Sequence, residues 1–428
     1  MALSLGANRW YTWYLPVKTS RFLVPALLLL PVIGALGYFF VPWRDITEPL
    51  PFPVSQGVPE SRFARMGMGV NMAGWFAQRT EYPIDALKRH HTTAELDAFV
   101  EMGVRHVRLP FEMEAFGGTV KNLKVDEKRF KVFENVIRGM SRRGILVMVF
   151  FHPPETFKKT LENDPIAFAE VVKMWDFMSK RLGKFSPEEI VFEPLSEPNY
   201  KNHQQWARDQ LQLIRVIRKN CPMHTIVAQG GDYSTAEDLI QLRPYKDMNL
   251  VYTFHFYEPF LFTHQGANWV DPNVSGFGIV RYPSTPENIK TMESRIRNSG
   301  QASYFQAFDR EAPWNRETLR RRVSVIDAWQ KKYGVKVICN EFGLPRETLV
   351  SVDRAAWFKD IALVFREKRI PWSSYEWMGG MGLIYDRITK KEGFESIDRP
   401  SLEALGFKMP TYQPLGESVK DFTGAVAK

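Results

Sequence analysis

The sequence predicts an α/β protein built on a closed barrel of eight parallel strands, the (β/α)8 or TIM barrel. From about residue 67, short runs rich in Val, Ile, Phe and Tyr alternate with amphipathic segments, and eight such runs occur. The amphipathic segments repeat apolar residues three and four positions apart, as Val132, Val136, Ile137 and Met140 do. An open, doubly wound sheet is the alternative, but the glycines near the first run lack the phosphate-binding spacing of that fold.

The elements follow one another in regular order. The predicted strands are 69–75, 104–110, 145–151, 189–195, 224–230, 250–256, 335–342 and 372–378. The predicted helices are 93–102, 127–143, 166–182, 204–219, 235–242, 316–332, 354–368 and 401–405. The widest gap, 257–313, leaves the face where barrel enzymes bind ligands, so we expect it to cover the substrate. A surface loop without order is the alternative.

The amino-terminal segment predicts a membrane anchor. Residues 22–43 carry no charged side chain and, at about 1.5 Å per residue, would span roughly 30 Å as a helix. Positive charges before this run place residues 1–21 in the cytoplasm and the rest on the periplasmic or extracellular side of the inner membrane. A cleaved signal peptide is the alternative, but YFFVPW is a poor cleavage site. The predicted division is an uncleaved signal anchor over 22–43, a Pro-rich linker over 44–66, the barrel over 67–406 and a tail over 407–428.

Composition and short motifs exclude several classes of function. The net charge is +9, yet Lys and Arg are scattered and no nucleic-acid-binding motif occurs, so no nucleic-acid partner is expected. Cys221 and Cys339 are two isolated thiols, which form neither a disulfide framework nor a metal site. The histidines show no HExxH motif, and the adjacent His90 and His91 are interpreted as an exposed pair. We therefore predict no metal and no other cofactor.

Polar side chains collect where the predicted strands end. In a parallel barrel these ends converge on one face, so the residues there are expected to form one site. A carboxylate at the end of a buried strand is costly to desolvate and needs partners or a purpose. Two such carboxylates on separate strands are the equipment of a glycosidase. The candidate site residues are Arg108, His152, Ser196, Glu197, His255, Tyr257, Glu341 and Trp377.

The motifs around these residues resemble those of glycoside hydrolase family 5, the cellulase-like family of retaining glycosidases. The resemblance covers residues 67–406 and rests on GVNMAGWF, VRLPFE, FHPPE, FEPLSEPN, HFYEPF, CNEFG and YEWMGGMGLIYD. It implies a β-linked polysaccharide substrate and no cofactor. It also implies that Glu341 is the nucleophile and Glu197 the acid/base, with their carboxyls about 5–5.5 Å apart.

The resemblance implies different environments for the two carboxylates. Arg108 and a hydrogen bond from Tyr257 would favour the ionised form of Glu341. Glu197 would need a less polar setting in order to keep the proton that it gives to the leaving oxygen.

The remaining candidates would hold the sugar. His152 and His255 would orient the carboxylates or bind hydroxyls, and Trp377 would form the floor under the sugar being cleaved. One position departs from the family, in which an Asn before the acid/base bonds the sugar 2-hydroxyl. This chain has Ser196 there, whose shorter side chain can still donate and accept a hydrogen bond; Asn340 or a water could instead take over that contact.

Two other functions stay open from the sequence. The barrel could bind a glycan without cleaving it, as part of a polysaccharide export or assembly system. It could also be a transglycosylase, in which a sugar hydroxyl replaces water in the second step. A membrane tether would suit a polymer that passes close to the membrane, such as a secreted exopolysaccharide, better than foraging on plant cell walls.

Overall fold

The computed structural model describes residues 57–267, 270, 274, 279–296, 302–384 and 396–411. These residues form eight parallel strands, each paired with the next in chain order and the eighth with the first, so that the sheet closes into a barrel. The strands are β1 (Met68–Asn71), β2 (His106–Phe111), β3 (Leu146–Phe151), β4 (Ile190–Glu193), β5 (Ile226–Gln229), β6 (Leu250–His255), β7 (Lys336–Phe342) and β8 (Trp372–Ser374). The predicted barrel is confirmed.

Helices surround the barrel and start at the residues that favour helix starts. Thr92 and Glu95 form a reciprocal capping box at one of them, and Asp164, Asn202 and Asn315 each accept from two backbone N–H groups of the first turn of another. The described helices are α1 (Glu60–Arg65), α2 (Ile84–Arg89), α3 (Thr93–Met102), α4 (Glu127–Arg142), α5 (Glu155–Leu161), α6 (Pro165–Leu182), α7 (His203–Asn220), α8 (Ala236–Leu239), α9 (Phe260–Thr263), α10 (Pro286–Ile296), α11 (Ala302–Arg310), α12 (Arg316–Tyr333), α13 (Ser351–Lys368) and α14 (Arg399–Leu405).

Two of the predicted strands extend four residues past the observed carboxyl ends. β1 ends at Asn71 rather than at residue 75, and β8 ends at Ser374 rather than at residue 378. The extra residues are apolar because Trp75 and Trp377 are completely buried beside helices, not because they pair with a strand. An apolar run indicates which residues are buried, and in both places the buried residues extend beyond the last backbone hydrogen bond of the strand.

The predicted linker was wrong at its carboxyl end. Within 44–66, residues 60–65 form α1, which lies across the amino-terminal end of the barrel. Arg62 is buried there and binds Glu188 and the Thr225 hydroxyl. A separate apolar layer fills this end of the barrel interior; it consists of Val58, Met66, Leu146, Met148, Val191, Val227, Val251 and Ile338. The barrel domain therefore includes α1.

The predicted membrane anchor over 22–43 and the cytoplasmic segment 1–21 lie outside the described residues. Of the tail predicted over 407–428, the described part ends at residue 411. Among the helices that are described, none has the length and apolar character needed to cross a membrane.

The wide gap between β6 and α12 contains helices α9, α10 and α11. Its described part is attached to the loop before α13 and to α13 itself, since Gln265 donates to the Thr348 carbonyl at 2.8 Å and Tyr282 donates to Asp360 at 2.9 Å. The alternative of a loop without order is therefore wrong for these residues. That the segment covers bound substrate stays a prediction.

The interpretation of His90 and His91 as an exposed pair was wrong. His91 has no solvent exposure, and its ring lies 4.8 Å from the Trp75 ring and 3.3 Å from the Glu95 carboxylate. Burial and the neighbouring His91 lower the pKa of His90 to about 2. The pair is part of the packing beneath the first loop.

Candidate active site

Arg108 lies at the centre of the carboxyl-terminal end of the barrel and has no solvent exposure. Its guanidinium forms a two-pronged ion pair with Glu193 at 2.8 and 2.7 Å, and it also donates to Glu341 at 2.5 Å. Burial by itself would lower the pKa of Arg108, but the charges of Glu193 and Glu341 outweigh it and raise that pKa. The fork shape of the guanidinium lets one residue hold both carboxylates at once.

Glu341 stands on β7 with each of its carboxylate oxygens occupied. Arg108 donates to Oε2, and the Tyr257 hydroxyl donates to Oε1 at 2.8 Å. Burial, followed by the charge of Glu341, raises the pKa of Tyr257 well above its usual value, so its hydroxyl keeps the proton that it donates. These two fixed donors hold the carboxylate in one orientation toward the centre of the site, as a nucleophile requires.

Glu197 follows β4 and has φ of +48°, in the left-handed region that side chains other than glycine rarely adopt. The His255 ring nitrogen Nδ1 lies 2.9 Å from Oε1, and the Lys158 ammonium lies 3.7 Å from Oε2. A residue held in an unfavourable backbone conformation within a polar cluster is typical of a functional position.

The electrostatic setting of Glu197 differs from the expected one. Burial favours the protonated form, but the hydrogen bond from His255 and the charge of Lys158 outweigh it and hold the pKa of Glu197 well below its usual range. The sequence did not reveal this polar setting, because Lys158 lies on α5 and no local motif shows that α5 packs next to Glu197. Relative to an isolated glutamate, these partners shift the balance of Glu197 toward the carboxylate form.

The two carboxylates are close together. An oxygen of Glu197, an oxygen of Glu341 and a ring nitrogen of His255 lie within 4.8 Å of one another. These oxygens are closer together than the about 6.5–9.5 Å that an inverting pair of carboxyl groups needs in order to admit a water. Among the described residues, Glu197, His255 and Glu341 are also the group whose ligand atoms are close enough to bind one metal ion. The Arg108 guanidinium beside Glu341 already supplies positive charge at this position.

Ser196 and Asn340 do not face the cleft. Ser196 has no solvent exposure, and its hydroxyl accepts from Arg108 at 3.0 Å. Asn340 is equally buried and donates to Glu193 at 2.8 Å. The expectation that Ser196 or Asn340 contacts a sugar 2-hydroxyl is therefore wrong. Both side chains instead support the Arg108–Glu193 ion pair. The register of β7 shifts at this point, because Phe254 pairs with Cys339 whereas His255 pairs with Glu341, which leaves Asn340 between the two pairs.

The structure also corrects the assignment of Trp377 as the sugar floor. Trp377 is completely buried, its indole N–H donates to Glu95 at 3.1 Å, and its ring packs on the edge of Phe99. Tyr375 is the partly exposed aromatic residue that follows β8. Burial raises the pKa of Tyr375, and the charges of Glu376, Glu341 and Glu197 add to the effect, so its ring lies in the field of the carboxylates. β8 ends earlier than predicted, so the partly exposed aromatic residue after this strand is Tyr375 and not Trp377.

His152 and Gln78 border the other side of the cleft. His152 follows β3, and burial lowers its pKa to about 3, so the ring is neutral near pH 7. The exposed Gln78 amide lies 3.2 Å from His152 Nε2 and donates to the Tyr375 hydroxyl at 3.2 Å. Sequence reasoning missed Gln78; its one signal is a polar residue two positions after the GVNMAGWF motif.

A second polar group lies behind Glu197 and was also missed. Glu155 accepts from Asn199 at 3.1 Å and from Tyr233 at 2.9 Å through Oε1, while Lys158 binds its Oε2 at 2.9 Å. Asn199 belongs to the FEPLSEPN motif and Glu155 to FHPPE, so the chain positions were in view. Their contact depends on the pairing of separate strands, which the local sequence does not reveal.

Of the predicted site residues, the structure brings Arg108, His152, Glu197, His255, Tyr257 and Glu341 to one end of the barrel around the two carboxylates, with Ser196 below them and Trp377 outside. This arrangement can protonate a leaving group with one carboxyl and attack from the other.

Comparisons with known proteins show the family of this chain. The sequence model of the family described as Cellulase (glycosyl hydrolase family 5) matches residues 67–380. Endoglucanase C of Acetivibrio thermocellus is 27% identical over 310 residues, which cover 71% of this chain and 84% of that protein.

Solved structures share the fold. Thermotoga maritima Cel5A with bound cellobiose superimposes with a TM-score of 0.63 at 24% identity, covering 81% of this chain and 99% of that one. Cellulose synthase subunit Z (CcsZ) from Clostridioides difficile superimposes with a TM-score of 0.62 at 22% identity, covering 79% and 99%. With the match over residues 67–380, the chain belongs to glycosyl hydrolase family 5, the cellulase family, and is a glycoside hydrolase.

Proposed function

We propose that this chain is a retaining, endo-acting β-glucanase that hydrolyses a β-linked polysaccharide by double displacement. The observation that carries the proposal is the approach of Glu197 and Glu341 to within 4.8 Å, each held by its own partners. Similarity to endoglucanases supports a β-glucan as the polymer.

The proposed first step uses both carboxyl groups. An oxygen of Glu341 forms a bond to the anomeric carbon while the bond from that carbon to the glycosidic oxygen breaks. The electron pair goes to the leaving oxygen, which takes the proton of Glu197. Arg108 and Tyr257 each donate to a different oxygen of Glu341, so the nucleophile is already oriented before it attacks.

The second step reverses these roles. The Glu197 carboxylate takes a proton from water, and the water oxygen attacks the anomeric carbon and releases Glu341. If a sugar hydroxyl enters in place of water, the same residues perform transglycosylation, and the product is longer than the substrate.

Replacement of Glu341 tests the proposal most directly. Full-length protein in a mild detergent should release reducing ends from barley β-glucan or carboxymethyl cellulose. Viscosity should fall faster than reducing ends accumulate if cleavage is internal. Glu341→Gln keeps the shape but removes the nucleophile, so kcat/KM should fall by more than about 10³-fold.

The control is Glu347→Gln, which changes an exposed carboxylate on the loop that follows the same strand. It should leave kcat/KM unchanged. Proton NMR of the first product should detect the β-anomer before mutarotation, because two displacements retain configuration. Full activity of Glu341→Gln, or initial release of the α-anomer, would contradict the mechanism. Tight binding of glucan without cleavage would favour the glycan-holding alternative.

We also propose that residues 22–43 anchor the enzyme in the inner membrane, with the barrel on the outer side, where it acts on an exopolysaccharide. The support is the uncharged run and the positive charges before it. The full chain should remain in carbonate-washed membranes, and added protease should reach the barrel in spheroplasts. Replacing Leu28 and Leu29 by Arg should release the protein from the membrane fraction; retention of that variant would contradict the anchor.

A further inference from the structure

Lys158 reaches the acid/base from behind the cleft. It lies on α5, one turn after Glu155, so both side chains share a helix face. Its ammonium lies 2.9 Å from Glu155 Oε2 and 3.7 Å from Glu197 Oε2. These two carboxylates are the ion-pair partners recorded for it among the described residues.

Burial separates this lysine from the substrate. The Lys158 side chain is 3% exposed, whereas Glu155 is 41% and Glu197 24% exposed. The ammonium is therefore shielded from a sugar in the cleft, whereas part of the Glu197 carboxylate is exposed. Lys158 can therefore influence the reaction only through the groups that it contacts, which makes it a positioning residue.

We infer that Lys158 sets the proton affinity of Glu197 and thereby the alkaline limit of the enzyme's activity. The inference rests on the proposed function, in which Glu197 must be protonated when the leaving oxygen departs. A cation within 4 Å favours the carboxylate form, so it moves the loss of the catalytic proton to lower pH. The same cation favours the base form that the second step needs.

Several other groups face Glu197, from each element packed around it. They are His255 on β6, Glu341 on β7, His152 after β3, His264 after α9, and Tyr233, Tyr257, Tyr375 and Glu155. Burial lowers the pKa of His152 to about 3 and that of His264 to about 4, so both rings are neutral above pH 5. Arg108 is directed at Glu193 and Glu341. Among the described residues, Lys158 is thus the lysine whose ammonium faces Glu197 directly, at 3.7 Å from Oε2.

The test is the pH profile of kcat/KM, which reports groups of the free enzyme. Lys158→Met removes the charge and keeps the length of the side chain, so the alkaline limb should move upward by about 1 pH unit. Lys158→Arg restores a cation and should return the limb toward its wild-type position. Lys173→Met is the matched control, because Lys173 and Glu170 form the same i,i+3 pair on the surface of α6. It should shift nothing.

A second substrate separates proton donation from other effects. Dinitrophenolate leaves without needing a proton, so hydrolysis of 2,4-dinitrophenyl β-cellobioside should show no shift of the alkaline limb in Lys158→Met. A purely structural lysine would change both substrates alike or neither. An unshifted limb with β-glucan, in a folded Lys158→Met protein, would overturn the inference.

Glu155→Gln provides an independent test if Lys158→Met does not fold. Gln keeps an oxygen that can accept from Asn199 and Tyr233, but it removes the negative charge of Glu155, which competes with Glu197 for the Lys158 ammonium. The alkaline limb should then move downward, opposite to the lysine variant, and an upward shift would overturn the inference. Wild-type protein that cleaves no glucan would instead contradict the proposed function, so the two failures are distinguishable.

Discussion

The two ends of the barrel contain the same strands but opposite kinds of interior. At the amino-terminal end, an apolar layer lies under α1. At the carboxyl-terminal end, the interior holds Arg108, Glu193 and Glu341, three charged side chains with almost no exposure. Met148 lies at the boundary, where Asn340 donates to its sulfur. The amino-terminal end stabilises the fold by burying apolar side chains. The carboxyl-terminal end holds oriented charges at a cost to stability, since burying an ion costs several kcal/mol before it pairs.

Both ends also contain buried arginines, and Arg218 at the amino-terminal end can be compared with Arg108 at the carboxyl-terminal end. Arg218 pairs with Asp247 at 2.9 Å and otherwise donates to backbone carbonyls, so it ties loops together. Arg108 pairs with two carboxylates, one of which is the predicted nucleophile. The comparison teaches that a buried arginine by itself does not indicate catalysis; the chemistry of its partners does.

The largest expected effect comes from Arg108→Met. It leaves Glu193 and Glu341 buried without their cation, so unfolding free energy should fall by about 3–5 kcal/mol. Glu341 also loses the donor to Oε2, and kcat/KM should fall by more than about 10²-fold. Urea unfolding and β-glucan hydrolysis measure the two effects.

Arg218→Met is the control from the other end. It should lower the unfolding free energy by a similar amount, about 3–5 kcal/mol, because Asp247 is left buried and unpaired. Its kcat/KM per folded molecule should equal that of the wild type. Equal activity in the two variants would break the proposed division between a stabilising end and a reacting end.

The next effect distinguishes the two aromatic residues near β8. Tyr375→Ala should lower kcat/KM by about tenfold, which corresponds to roughly 1.4 kcal/mol of lost ring contact, with little change in stability. Trp377→Phe should lower the unfolding free energy by about 1–3 kcal/mol, since Glu95 loses a buried donor, and leave KM unchanged. The reverse pattern would restore Trp377 as the sugar floor.

The smallest effect is expected at Gln78, whose exposed amide lies between His152 and Tyr375. Gln78→Ala should raise KM about two- to tenfold, the value of one neutral hydrogen bond, while melting temperature stays the same. Gln78→Glu, of the same size, checks whether the amide protons matter. An unchanged KM in both variants would remove Gln78 from the sugar site.

Much of the architecture was predictable because its signals are local. The alternation of apolar runs and 3.6-period segments depends on a few neighbouring residues, and all eight strands lie where it placed them. The ends of β1 and β8 were not predictable in the same way. Trp75 and Trp377 continue the apolar pattern although they pack beside helices instead of pairing.

The amino-acid sequence by itself determined the closed barrel, the strand ends that carry Glu197 and Glu341, and the family. Only the tertiary structure decided that α1 covers one end of the barrel, that Ser196 supports Arg108, and that Trp377 is buried whereas Tyr375 is partly exposed. The reason is physical. Strand and helix formation follow from short-range periodicity, whereas the partners of a buried side chain depend on strand register, and the Arg108–Glu341 contact joins residues 233 positions apart.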